Sequence, residues 1–182
     1  MTISAEDRSR LVALAREAVE AKVSGKPLPR PDRLDGLLGE VRGCFVTLTN
    51  QGRLRGCIGT FSPTQPLGRM LVEMAAAAAR DPRFVTNPIT PDEVGQLDVQ
   101  VSVLSPLEET KDPEGLQVGT HGIYVTNGYR SGCFLPEVAT DQGWNAAEFL
   151  SCCCEHKAGL PPDAWRMLDT KVYLFTSEKF SE

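Results

Sequence analysis

Apolar residues recur at helical spacing near the start of the chain. Leu11, Leu14, Ala15, Ala18 and Val19 fall on one face, so residues 5–22 are expected to form an amphipathic helix. Ser4 is its capping signal, with Asp7 three residues on in place of the usual Glu. Gly25, Pro27, Pro29 and Pro31 end the helix in a surface loop. Residues 41–49 and 53–61 read as two strands of a hairpin around Asn50-Gln51-Gly52. A second helix opens at Pro66, shows the stripe Leu67, Met70, Leu71, Met74 and Ala78, and stops at Asp81-Pro82. Its alanine run, 75–79, favours helix and permits close packing against a sheet. Leu97, Val99, Val101 and Val103 alternate with Asp98, Gln100 and Ser102, the clearest strand of the chain, with one face buried.

An acidic loop, 108–114, precedes a second expected hairpin with Asn127-Gly128 as its turn, between strands 122–126 and 129–135. Asn145 and Glu148 have the spacing of a capping box for a helix running to about residue 158, with Gly159 at its C′ position. Residues 171–175 close as a strand. Hairpins and helices alternate without a βαβ repeat. This pattern predicts an α+β fold, with a mixed or largely antiparallel sheet and flanking helices. A length of 182 residues suits one domain over 1–182, built of two closely packed lobes, about 1–105 and 106–182, that share strands.

Composition, 41% hydrophobic and 24% charged, is that of an ordinary globular protein. No apolar run approaches a membrane span, and the first eight residues are charged and lack a signal core, so a cytoplasmic location is expected. The six cysteines include three in a row, Cys152, Cys153 and Cys154, which is neither a disulfide framework nor a zinc-knuckle pattern; reduced thiols are expected. Net charge is −5, but residues 42–83 carry six arginines against Glu73 and Asp81, a net +4. Arginine suits bidentate binding of carboxylate or phosphate. These arginines could equally pair with the acidic residues of the rest of the chain.

The same basic segment holds the octapeptide Leu54-Arg55-Gly56-Cys57-Ile58-Gly59-Thr60-Phe61. On a regular strand, Arg53, Arg55, Cys57 and Gly59 share one face, and Leu54, Gly56 and Ile58 the other. A guanidinium beside a thiol favours the thiolate. Gly56 and Gly59 would let a ligand approach the backbone closely. Three readings of Cys57 stand side by side: a nucleophile activated by Arg55, a ligand contact without catalysis, and a small buried residue serving packing.

The octapeptide resembles the signature of the AmmeMemoRadiSam system protein A family, whose eukaryotic relatives take their name from the AMMECR chromosomal region. Asp81-Pro82-Arg83-Phe84, Val101 to Leu104, His121-Gly122-Ile123, Phe134 to Ala139, Glu148-Phe149-Leu150 and Lys157 to Leu160 match in order, so the likeness covers the chain from about Arg42 on. The family has no established activity. The resemblance implies a component of a three-part prokaryotic system, with a Memo-like protein and a radical SAM protein as partners.

Around Cys57 the expected site takes shape as Arg55, Cys57, Arg83 and His121, with Gly56 and Gly59, engaging an anionic small molecule or modified group. His121 is either a general base for Cys57 or a loop residue held by a hydrogen bond. Arg83 either clamps an anion with Arg55 or pairs with Asp81. Glu137 reads as a strand-end carboxylate. Cys152 and His156 stand at i and i+4, a two-ligand arm that needs two more donors to hold a metal; small-residue packing is the simpler account, and no metal or cofactor is assigned. Two other classes compete with the ligand site. One is a non-catalytic protein-interaction domain, which would show Ile58 and Phe61 as an open patch. The other is an RNA-binding or RNA-modification protein using a local arginine patch. Against it stand a pI near 5.2 and the absence of basic-aromatic interleaving.

Overall fold

The computed structural model describes residues 2–31 and 33–181. Helices and two four-stranded antiparallel sheets make the fold α+β. The chain divides into two units. One runs to Leu104 and is completed by the chain from Glu178 on; the other is Ser105–Ser177.

The first unit opens with α1 (Ala5–Val23), where the Ser4 side chain accepts from the Asp7 backbone N–H as the capping signal requires. The hairpin follows as β1 (Cys44–Asn50) and β2 (Arg53–Thr60). Its turn places Gln51 and Gly52 both at positive φ, +49° and +75°, the backbone that matches the twist of a tight hairpin. Next come α2 (Leu67–Ala78), with Pro66 at its N-cap, then a 3-10 turn at Pro82–Phe84, the short α3 (Pro91–Val94) and β3 (Leu97–Leu104). The first sheet has the order β2-β1-β3-β8, where β8 is the terminal strand Ser177–Ser181. Leu11 and Val19 of α1, Leu67 and Leu71 of α2, and Val46, Leu48, Val99 and Val101 of the sheet meet in one core. β2 is therefore an edge strand, with one row of backbone groups unpaired by any other strand.

The second unit holds β4 (Glu108–Thr110), β5 (Gly122–Thr126), β6 (Ser131–Phe134), α4 (Pro136–Gln142), α5 (Ala146–Cys152) and β7 (Lys171–Phe175), with sheet order β4-β7-β5-β6. Its core gathers Ile123, Val125, Phe149, Leu150, Cys153 and Trp165. Four expectations need correction here. The acidic stretch expected as a loop from 108 to 114 contributes β4, which pairs with β7. The β5–β6 turn spans four residues rather than two: Asn127 Oδ1 accepts from the Tyr129 and Arg130 N–H groups and closes a longer loop. Glu137 lies in the first turn of α4 rather than at a strand end, because Pro136 takes the N1 position of a helix. The helix begun by the Asn145–Glu148 capping box continues past Cys152 as a π-helix over Cys153–Ala158, before Gly159 ends it in the left-handed conformation. That wider winding removes the α-helical basis for placing Cys152 and His156 on one face. Cys153 and Cys154 are buried core residues.

Candidate functional site

Asp81 organises the first unit's site. The residue before a proline avoids helical angles, so α2 ends and the chain turns at Asp81-Pro82. The Asp81 carboxylate then folds back over the turn and accepts from the Arg83 backbone N–H at 3.0 Å. It also pairs with the Arg83 guanidinium through Nε and Nη2. A further bond comes from the edge strand: the Cys57 backbone N–H donates to Asp81 Oδ2 at 3.0 Å. Arg83 Nη2 returns the contact by donating to the Cys57 carbonyl at 3.2 Å. One ion pair thus satisfies both backbone groups of Cys57 on the open side of β2, as a neighbouring strand would.

Asp81 is 3% exposed, and a carboxylate so enclosed must be paired. The Arg83 guanidinium beside it holds its carboxyl well below the usual carboxylate range, helped by the Cys57 and Arg83 backbone N–H groups and opposed by burial. Arg83 itself stays half-exposed, and its Nη1 hydrogens have no partner among the described residues.

The thiol sits on the sheet face away from the core. Cys57 is opposite Thr47 in the β1–β2 register, and its Sγ lies 3.2 Å from Thr47 Oγ1. The residue is half-buried, whereas Cys44 and Cys153 are buried. Burial pushes the Cys44 thiol up to about 12 and Cys133 to about 11. It also raises Cys152, Cys153 and Cys154.

Arg55 departs from its expected place. Leu48 is opposite Gly56, but Thr49 is opposite Leu54, so the strand carries one extra residue at this point. A bulge breaks the two-residue alternation. Leu54 thereby shares the Cys57 face, contrary to the regular-strand reading. The Arg55 guanidinium pairs with Glu93 of α3 and donates to the Asn87 carbonyl at 3.1 Å. Glu93 is held below its ordinary value by Arg55, against burial and with help from Asn50. Arg55 therefore neutralises a carboxylate. The cation in contact with Cys57, at its backbone carbonyl, is Arg83.

The glycines serve packing. A Cβ on Gly56 would overlap the Ala78 carbonyl oxygen at the end of α2, and one on Gly59 would overlap the Phe45 ring. The space beside both glycines is filled by the protein itself.

His121 belongs to the second unit, where its Nδ1 accepts from the Gln117 backbone N–H at 3.0 Å. In the neutral ring that bond puts the proton on Nε2, so Nε2 is a donor.

Sequence reasoning missed Glu93, which sits 38 positions from Arg55, and Phe84, over whose ring both Arg55 and Arg83 lie at 5.7 and 5.8 Å. The Asp-Pro-x-Phe spacing was the one available signal for the turn that carries Phe84. Nothing local in the sequence points to Glu93. Among the described residues no helix is long and apolar enough to cross a membrane.

Comparison with known proteins puts this architecture in context. A protein of Methanothermobacter thermautotrophicus is 44% identical over 188 residues, covering 99% of this chain and 96% of that one. One of Thermococcus kodakarensis is 45% identical over 184 residues, covering 94% and 88%. The crystal structure of an uncharacterized protein from Pyrococcus horikoshii matches with a TM-score of 0.85 at 41% identity, over 99% of this chain and 93% of that chain. The AMMECR1 family model matches residues 12–180, and with relatives this similar over nearly their full lengths, the chain belongs to the AMMECR1 family.

Proposed function

We propose that this AMMECR1-family chain binds a small anionic molecule beside Cys57 and that the thiol engages it directly. One observation carries the reading. The Asp81–Arg83 pair fixes the Cys57 backbone at both its N–H and its carbonyl, while the same guanidinium, in contact with the Cys57 backbone, keeps its Nη1 hydrogens open. A rigidly held, half-exposed thiol with a neighbouring cation is the arrangement that cysteine chemistry uses. A ligand oxygen held by Nη1 would bring an adjacent electrophilic carbon to Sγ. The site is argued from first-unit residues alone.

The competing classes find less support. Ile58 packs on the first core, and Phe61 stacks edge-on against Phe45 with centroids 4.8 Å apart, so the hairpin does not offer the open apolar patch that a docking surface needs. Within the basic segment, Arg42, Arg55 and Arg83 are in ion pairs with Glu40, Glu93 and Asp81, which weakens the RNA reading. A shared pathway with Memo-like and radical SAM proteins, and membership of the AmmeMemoRadiSam branch, belong to this proposal through the resemblance of the signature alone.

Alkylation tests the site. The native protein is treated in parallel with iodoacetate, an anion, and iodoacetamide, its neutral counterpart, and labelling is mapped cysteine by cysteine by peptide mass spectrometry. Cys57 is expected to label first with both reagents, because burial raises the other five thiols. The iodoacetate-to-iodoacetamide rate ratio at Cys57 is expected to fall severalfold in Arg83→Gln and to persist in Arg83→Lys, which keeps the charge. A Cys57 inert until denaturation, or a ratio indifferent to Arg83→Gln, would overturn the proposal.

A further inference from the structure

Behind the clamp lies a cavity of about 400 Å³, inside the range of small-molecule sites. Cys57, Arg83 and Thr47 do not line it. Its apolar walls are Pro82, Phe84, Val85, Pro88 and Ile89. Val85 stands 76% exposed, while Ile89 is buried, so the cavity runs from an apolar rim to an apolar floor.

Three charged residues also line it, and each is already compensated. Asp81 is saturated by Arg83 and the Cys57 N–H. Arg55 is paired with Glu93. Arg80 donates to the carbonyls of Ala79, Ile89 and Val23. Val23 is the last residue of α1 and Ala79 is the C-cap of α2. The guanidinium therefore answers the carbonyl ends of two helices, where the helix dipoles are negative. A charged ligand entering here would have to take Arg55, Arg80 or Asp81 from its partner while losing its own hydration. A neutral apolar group meets neither cost.

We propose that this cavity binds an uncharged flat ring, aromatic or heteroaromatic, seated among Phe84, Val85 and Ile89. Phe84 is anchored by the two guanidinium groups that lie over it, so it forms a preset wall for edge-to-face or offset contact. The site is independent of the anion reading at Cys57. The two meet in Asp81, which lines the cavity and clamps the thiol's backbone, and in Arg83, which lies over the Phe84 ring.

A matched pair of probes tests the proposal: 2-naphthol, neutral at pH 7, and 2-naphthoate, the same ring bearing a carboxylate. Binding is followed by saturation-transfer NMR and located by amide shift changes in the labelled protein. The expected result is binding of 2-naphthol with shifts at the Val85 and Ile89 amides, and weaker binding of 2-naphthoate. Val85→Asp, at an exposed position with its fold checked by circular dichroism, is expected to weaken 2-naphthol about tenfold through the loss of one apolar wall. Equal or tighter binding of 2-naphthoate, shifts confined to other parts of the chain, an unaltered affinity in Val85→Asp, or no binding of 2-naphthol would each overturn it. Alkylation of Cys57 on the same samples reports separately on the thiol site.

Discussion

Asp81→Asn is expected to destabilise the first unit by about 2–4 kcal/mol, because an amide cannot replace a buried carboxylate that receives only donors. Asparagine keeps the shape but presents one oxygen and two N–H groups. Either the Cys57 N–H or the Arg83 guanidinium would then face another donor. Arg83 is half-exposed and can be rehydrated, which places the loss below that of a fully buried broken pair. The expected readouts are a lowered urea midpoint and faster hydrogen exchange at the Cys57 amide. An unchanged midpoint together with a still-protected Cys57 amide would remove Asp81 from its role as the clamp.

The same pair sets the acid limb. Asp81 and Glu93 both titrate below their ordinary values in the folded protein, through Arg83 and Arg55 respectively. The folded state therefore binds fewer protons than the unfolded chain in the acid range. Their contribution is fully present above about pH 5 and is lost as the pH falls from there toward the depressed folded values. In Asp81→Asn the Asp81 part of this slope disappears and the Glu93 part stays. Urea midpoints measured from pH 7 down to pH 3 for the two proteins would show converging curves. Parallel curves would contradict the assignment.

Gly56→Ala is the second large effect. The added methyl would overlap the Ala78 carbonyl oxygen, a backbone atom at the end of α2 that cannot swing aside as a side-chain tip can. Either β2 or the end of α2 must move. A cost at the upper end of overpacking, about 3 kcal/mol, is expected. Gly52→Ala is a useful contrast, since nothing lies near its Cβ and only its φ of +75° opposes the change. Gly56→Ala should lower the melting temperature more than Gly52→Ala does. The reverse order would mean that the α2–β2 contact yields more easily than the hairpin turn.

Much of the fold was readable from local pattern. Period-two alternation marked β3, although Ser102 is buried along with Val101 and Val103, and Leu11, Ala15, Ala18 and Val19 marked the buried face of α1. The Ser4 and Asn145 caps are both made. These features depend on neighbours three or four positions away, so the chain carries them wherever it folds. The exceptions have local causes of a subtler kind. Pro136 starts a helix as readily as it ends a strand, and the Asn127 side chain can close a longer loop than Asn-Gly alone suggests. No hydrophobic period distinguishes the π-helical turn at Cys153–Ala158 from the α-helix before it.

The site divides along the same line. Arg55, Cys57, Arg83 and the Asp-Pro turn were all visible as residue types with a chemistry, and Asp81 stood out as one partner open to Arg83. Their pairing could not be read, because ion pairs are chosen by three-dimensional proximity. Glu93 approaches Arg55 from a helix 38 positions away, and the bulge in β2 turns Leu54 onto the thiol's face. Gly56 had two meanings in the sequence, access for a ligand or contact with a helix, and the Ala78 carbonyl decided between them. Local spacing determined which elements form and which chemical groups they carry. Long-range packing determined which charges cancel, which thiols are buried and where a cavity remains, since each of these depends on atoms that only the folded chain brings within a few ångströms.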